Sequence, residues 1–232
     1  MKKISVFDII GPIMIGPSSS HTAGALKISL IAYKIFKGTI KEVKFTLYGS
    51  FAKTYKGHGT DRALLGGIMG FDTDDDRIRN SFEIADNNNL KYSFVEGETT
   101  PEMHPNTVRI DILGEDSSMS LVGESIGGGS VLVRQINGID VKFTGEYTTI
   151  MVQQIDKPGV VAHITKVLSE NNINIAFMSL FRESLGEKAF TMLELDEKVS
   201  EDILLKLKEH EYIIDTFLIS IFSISTLISF IL

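Results

Sequence analysis

Three serine hydroxyls and an imidazole stand in one run, Gly16-Pro17-Ser18-Ser19-Ser20-His21-Thr22, directly before a stretch whose spacing predicts a helix. A helix start leaves backbone N–H groups unpaired and carries the positive end of the helix dipole. Hydroxyls gathered there form a site for an anion such as a carboxylate. A serine that only caps the helix is the alternative, but capping takes one hydroxyl. A second imidazole lies in Gly57-His58-Gly59-Thr60-Asp61-Arg62, which reads as a loop whose glycines leave the ring uncrowded. Asp61 either orients that imidazole or occupies a first helical turn, where a carboxylate is favoured. A third cluster, His104-Pro105-Asn106-Thr107, leads into a strand, and its Asn and Thr suit either a substrate carboxylate or an ordinary turn.

Other polar runs read differently. Ser125-Ile126-Gly127-Gly128-Gly129-Ser130 lacks the spacing of a nucleotide loop and no helix follows, so close backbone packing or a pocket wall is expected. Asp72 to Asp76 hold four carboxylates in five residues and read as a solvated acidic turn, with a calcium site as the alternative. His163 and His210 fall within and at the end of helical stretches and read as structural.

The elements that must position these groups follow from periodicity. Ile28, Ile31 and Ile35 with Leu26, Leu30 and Tyr33 predict a helix over 22–36, buried on most sides. Val43, Phe45 and Leu47 alternate with polar residues, as do Val108, Ile110 and Ile112, and both runs predict strands. Asp61 to Met69 predict a further helix, although Gly66 and Gly67 weaken it by about 1 kcal/mol each. Asn137-Gly138 between two apolar runs supplies the positive φ angles of a type I′ hairpin. The first half is thus an α+β domain with an antiparallel or mixed sheet. From Tyr147 the order is strand, helix, strand, strand, helix, strand, with strands over 149–155, 173–181, 188–195 and 213–221. The helices cover 160–170 and 200–209, with Ser200 as N-cap. This is the ferredoxin-like βαββαβ arrangement.

Composition narrows the function. The 232 residues carry a net charge of −7 with scattered cations, so no nucleic-acid partner is expected. With no cysteine, the sequence has no disulfide, no thiolate nucleophile and no means of holding an iron–sulfur cluster by itself, and no metal ligands are assigned. The mildly basic, then apolar start is interrupted by Asp8 and reads as no signal peptide, so a cytoplasmic protein is expected. From Phe217 to Leu232 there is no charge. As a helix that run would span about 24 Å against a hydrocarbon core of roughly 30 Å. It reads as a last buried strand and an apolar tail, with a membrane anchor or an altered reading frame as alternatives.

Taken together and in order, GPSSSHT, GHGTDRALLGG, HPNT and SIGGGSV resemble the beta chain of bacterial iron–sulfur L-serine dehydratases. The segment with Asp156-Lys157-Pro158-Gly159 and Asn172-Ile173-Asn174-Ile175 resembles an ACT domain, an amino-acid-sensing module. The resemblance implies a serine dehydratase beta domain over 1–147, similar to the allosteric substrate-binding domain of some phosphoglycerate dehydrogenases, an ACT domain over 148–220 and a tail over 221–232. It implies a lyase that turns L-serine into pyruvate and ammonia, active only with an alpha subunit whose cysteines hold a 4Fe-4S cluster acting as a Lewis acid. In that scheme Ser18, Ser19, Ser20 and Thr22 grip the substrate carboxylate and Asn106 is a further substrate contact. His21 and His58 are the candidates for removing the α-proton and assisting departure of the hydroxyl. Asp156, Gly159 and Asn172 are the candidate regulatory amino-acid site of an ACT half that pairs with another copy. A non-catalytic sensing module and a membrane-tethered regulator are the rival readings.

Overall fold

The computed structural model describes residues 13–145 and 147–219, so the reading of the tail beyond Ile219 lies outside the described residues. The chain divides into two compact units at Gly138.

In the first unit a π-helical turn, Ser19–Gly24, runs directly into α1 (Ala25–Ile35), most of whose residues are buried. Strand β1 (Ile40–Leu47) follows, then two helices that meet at a glycine: α2 (Gly49–His58) and α3 (Thr60–Ile68). Gly59 joins them at φ 69°, a left-handed conformation that ends α2 without a Cβ penalty. A 3₁₀ turn (Asp76–Asn80), α4 (Ser81–Asn87) and β2 (Lys91–Glu96) complete this segment. Then come β3 (Thr107–Gly114), β4 (Ser118–Gly127) and β5 (Ser130–Ile136); β6 (Ile139–Phe143), the first element after Gly138, is the last strand of the same sheet.

The sheet order is β2-β1-β3-β4-β5-β6, with β1 and β2 parallel and β1-β3, β3-β4 and β4-β5 antiparallel, so the sheet is mixed. Asn137 and Gly138 take φ of 51° and 82°, the positive values a type I′ turn demands. One face of each strand supplies the core. Val43, Phe45 and Leu47 on β1 and Val108, Ile110 and Ile112 on β3 are almost fully buried, each contributing about 1.5–3 kcal/mol by leaving water. Helix α1 lies close against β4 because Gly123 has no side chain: a Cβ there would come within 2.5 Å of Ile28 Cγ2. The Gly127–Gly129 run, at φ 107°, 61° and 82°, is the β4-β5 turn.

The second unit contains β7 (Thr148–Ile155), α5 (Val160–Glu170), β8 (Ile175–Arg182), β9 (Lys188–Leu195), α6 (Glu201–Leu207) and β10 (Ile213–Ile219). Its sheet order is β10-β7-β9-β8, with antiparallel neighbours, the ferredoxin-like arrangement. Ile150, Val152, Leu193 and Leu195 pack beneath Val160, Ile164, Leu168 and Leu207 of the two helices. Ser200 stands at the N-cap of α6 with extended backbone, but its hydroxyl makes no capping bond, so the expected cap acts through conformation alone. His163 is tied to the end of α6, with Nε2 3.2 Å from the carbonyls of Lys206 and Leu207. Among the described residues, no helix is long and apolar enough to cross a membrane.

Candidate active site

The serine-rich run is the first turn of the helix rather than a loop ahead of it. Ser18 caps it, with Oγ accepting the N–H of His21 at 3.1 Å. The π-helical winding of Ser19–Gly24 widens the turn, a distortion frequent at functional sites. Three glycines make the packing around it possible. A Cβ on Gly16 would meet Thr22 Cγ2 at 2.3 Å, and one on Gly24 would meet Ser125 Oγ at 2.0 Å. Ser125, fully buried, donates from Oγ to the carbonyl of Ser20 at 2.9 Å, so the first residue of the SIGGGS segment packs against the serine turn. A Cβ on Gly49 would fall 2.6 Å from the carbonyl of Pro105, which accepts the N–H of Ser50 at 2.6 Å. The HPNT turn therefore seats on the start of α2.

The two imidazoles come together. The ring centroids of His21 and His58 are 4.9 Å apart and tilted by 34°, and the edge of His21 meets Phe51 at 5.4 Å. Both histidines are half-buried. His58 is not a loop residue: it is the last residue of α2, and only its C-terminal neighbour Gly59 has left-handed backbone. Asp61 does not orient it. That carboxylate sits in the first turn of α3 and accepts the N–H of Arg62 at 2.8 Å, and burial raises its pKa. The group that orients His58 is the carbonyl of Thr54, 3.4 Å from Nδ1. A carbonyl only accepts, so in the neutral ring this contact places the proton on Nδ1 and leaves Nε2 as an acceptor.

Helix α2 supplies two residues that residue-by-residue reading of the sequence did not single out. Ser50 Oγ lies 2.9 Å from His21 Nε2, and Thr54 donates from its hydroxyl to the carbonyl of Ser50 at 2.8 Å. Ser50, Thr54 and His58 recur at four-residue intervals, the spacing of one helix face, and that spacing was the available signal.

The remaining candidates divide by what they already touch. Thr22 is 2% exposed and its hydroxyl donates to the carbonyl of His58 at 3.3 Å, holding the serine turn to the end of α2. Ser19 and Ser20 are half-buried, and no hydrogen bond to their hydroxyls is found among the described residues. Asn106 donates from Nδ2 to the carbonyl of Ser125 at 3.5 Å, while its buried Oδ1 has no partner among the described residues. His104 Nδ1 accepts the N–H of Asn106 at 3.2 Å. The regulatory candidates do not converge within one unit. Gly159 precedes α5 and Asn172 follows it, separated by a helix of about 16 Å, while Asp156 Oδ2 takes Arg182 Nη1 at 3.1 Å. In the acidic turn, Asp75 is committed to Arg77, and no set of three His, Asp or Glu side chains converges as a metal site among the described residues.

Residues 5–135 match the family model described as serine dehydratase beta chain. The chain belongs to the serine dehydratase beta chain family. Residues 148–211 match the ACT domain. The probable L-serine dehydratase beta chain of Bacillus subtilis (strain 168) is 42% identical over 204 residues, 88% of this chain and 92% of that protein. The L-serine dehydratase beta chain of Peptoniphilus asaccharolyticus is 42% identical over 206 residues, with the same coverage. D-3-phosphoglycerate dehydrogenase of Methanocaldococcus jannaschii is 28% identical over 197 residues, 82% of this chain but 36% of that protein. In this serine dehydratase beta chain, as its relatives are named, the paired imidazoles and the serine turn fall inside the matched segment.

Burial lowers the pKa of His21 below the 6.5 of a free imidazole, and the neighbouring His58 lowers it further. The folded chain therefore declines a proton that the unfolded chain accepts. Above pH 6.5 this group has no effect on stability. As pH falls from 6.5 through the lower folded value, stability is lost. Urea unfolding midpoints should fall over that window in the wild-type chain, and His21→Ala should remove this part of the pH dependence.

Proposed function

We propose that this chain is the proton-handling subunit of an iron–sulfur L-serine dehydratase, converting L-serine to pyruvate and ammonia in the cytoplasm with a cysteine-bearing alpha subunit. One observation carries the reading: two half-buried imidazoles with ring centroids 4.9 Å apart, beside a serine-rich helix start, in a sequence without a single cysteine. The donor set here does not fit a 4Fe-4S cluster, which takes thiolates, so the cluster is assigned to the alpha subunit. Held there, the cluster would supply the Lewis acidity that helps the hydroxyl leave.

The residues of this chain then have separable tasks. Ser19 and Ser20 offer their hydroxyls, together with the N–H groups of the helix start, to the substrate carboxylate, which carries more charge once the α-proton leaves. Ser18 and Thr22 hold that turn in place through His21 N–H and the His58 carbonyl. Asn106 presents its unpartnered Oδ1 as a further polar contact. His58, with Nδ1–H directed at Thr54, uses Nε2 to take the α-proton. The C–H electron pair becomes the new C=C bond as the hydroxyl departs as hydroxide, which with the abstracted proton makes up one water. The aminoacrylate left behind tautomerises to the imine, and a water molecule hydrolyses that to pyruvate and ammonia. The test is co-expression with a cysteine-bearing alpha chain under anaerobic conditions, followed by a pyruvate assay with L-serine and L-threonine. No pyruvate from a complex with an intact cluster would sink the reading.

The likeness to a phosphoglycerate dehydrogenase favours a second reading, in which both halves only sense amino acids. A binding site alone has no need of a carbonyl-oriented imidazole at a helix end. For regulation, the ACT half pairs with a second copy and binds an amino acid near Asp156, Gly159 and Asn172. Because Gly159 and Asn172 lie at opposite ends of α5, a shared site would draw them from two copies. Calorimetric titration of the full chain with L-serine should give a binding isotherm that Asp156→Ala weakens. An unchanged isotherm in that variant would remove Asp156 from the site.

A further inference from the structure

We propose that Ser50 is a positioning residue for His21: its hydroxyl donates to Nε2 and so fixes the imidazole as the Nδ1–H tautomer, with that N–H free to hydrogen-bond a substrate oxygen. The inference deepens the proposed dehydratase reading and rests on it for its catalytic consequence, although the tautomer itself does not.

The geometry begins with helix α2. Ser50 sits in its first turn, where its own N–H is held by the Pro105 carbonyl at 2.6 Å, and its carbonyl takes the Thr54 hydroxyl at 2.8 Å. With the main chain fixed on both sides, the side chain has one contact found among the described residues, His21 Nε2 at 2.9 Å. A hydroxyl carries a single proton, and donating it to a neutral imidazole satisfies both partners. Burial and the second ring beside it lower the pKa of His21, which favours the neutral ring. The other ring is held by the same helix through a different atom, since His58 places Nδ1–H on the Thr54 carbonyl.

The two rings thus share a tautomer but present opposite edges. His58 offers a bare Nε2, which accepts a proton, and His21 offers Nδ1–H, which donates a hydrogen bond. A single helix face, Ser50-Thr54-His58, sorts a pair of identical side chains into base and donor, the separation of roles that acid–base sites require. The His21 donor makes a hydrogen bond and transfers no proton, so the net removal of water needs no further proton source.

The test has two arms. In the full-length chain, ¹⁵N NMR of the His21 ring should show a protonated Nδ1 and an unprotonated Nε2. Ser50→Ala should abolish that preference and Ser50→Thr, which keeps the hydroxyl, should retain it. In the complex with the alpha chain, Ser50→Ala should lower kcat roughly 10- to 100-fold with little change in KM and a displaced acid limb of the pH profile, and Ser50→Thr should recover most of the rate. A protonated Nε2 in the wild-type chain, or a tautomer indifferent to Ser50→Ala, overturns the proposal. So does equal impairment of the alanine and threonine variants, which marks a structural role only. If His21→Ala leaves turnover unchanged while the ring tautomer still depends on Ser50, the catalytic role of His21 fails and its positioning by Ser50 stands. If His58→Ala is silent as well, the dehydratase assignment of the site fails.

Discussion

Replacing His58 with alanine in the complex with a cysteine-bearing alpha chain should lower kcat for pyruvate formation by about 10²–10⁴-fold, the usual contribution of a positioned general base. The α-proton of serine is weakly acidic, and its transfer to Nε2 develops only in the transition state. Accordingly kcat and kcat/KM should fall together, because an interaction absent from the ground state leaves binding untouched. The fold gives the ring little freedom. Its Nδ1 is directed at the Thr54 carbonyl one turn earlier, and its own carbonyl is bound by buried Thr22. Visible absorption of the cluster must be measured alongside, so that faulty assembly is not read as lost chemistry. His21→Ala removes a hydrogen-bond donor rather than the base and should cost less. Near-normal turnover in both variants, with cluster absorption unchanged, would remove both imidazoles from the chemistry.

A second large effect is expected at Gly67, where alanine should destabilise the first unit by about 1–3 kcal/mol, the usual cost of forcing atoms into a packed interior. A Cβ there would lie 2.4 Å from the Leu26 carbonyl oxygen, 2.8 Å from Ser29 Cβ and 3.0 Å from the Leu30 N atom. Two of these are backbone atoms of α1, and they cannot rotate aside. The same contact holds the buried bond from Ser29 Oγ to the Leu64 carbonyl at 2.6 Å. The adjacent glycine provides the control. A Cβ on Gly66 would meet Phe71 Cδ2 at 3.2 Å and Ile78 Cγ1 at 3.4 Å, both side-chain atoms able to give way. Gly66→Ala should therefore lose little, and can recover up to about 1 kcal/mol of helix propensity. Thermal or urea unfolding of the two variants decides the matter. Equal stabilities would show that α1 and α3 are not in close contact at Gly67.

The two neighbouring glycines also show how far sequence reasoning reaches. From the chain alone both read as weak points in a helix, because propensity is a local property. Only the approach of α1 distinguishes a glycine required for packing from one that is merely tolerated. His58 repeats the lesson. Flanking glycines read as a loop, yet Gly57 lies within α2 and Gly59 ends it, so the ring is aimed by a helix terminus. Helix α2 as a whole went unread, since Gly49, Lys53, Lys56 and Gly57 dilute its apolar pattern to two buried residues, Phe51 and Ala52. Ser50 was missed with it. By contrast α1, β1, β3, the Asn137-Gly138 hairpin and all six elements of the second unit were legible, because each has a strong period or an obligatory turn residue.

The sequence by itself determined the family, the α+β class, the ferredoxin-like second unit and the clusters in which chemistry would be found. Those properties reside in residue type and short-range spacing, and they survive without knowledge of what packs against what. Only the tertiary structure decided that residues 21 and 58 meet, that Thr22 is committed to holding a carbonyl, and that Thr54 rather than Asp61 orients His58. Orientation of an imidazole depends on one hydrogen bond formed across a helical turn or between distant segments. No local pattern encodes the direction in which such a bond will point.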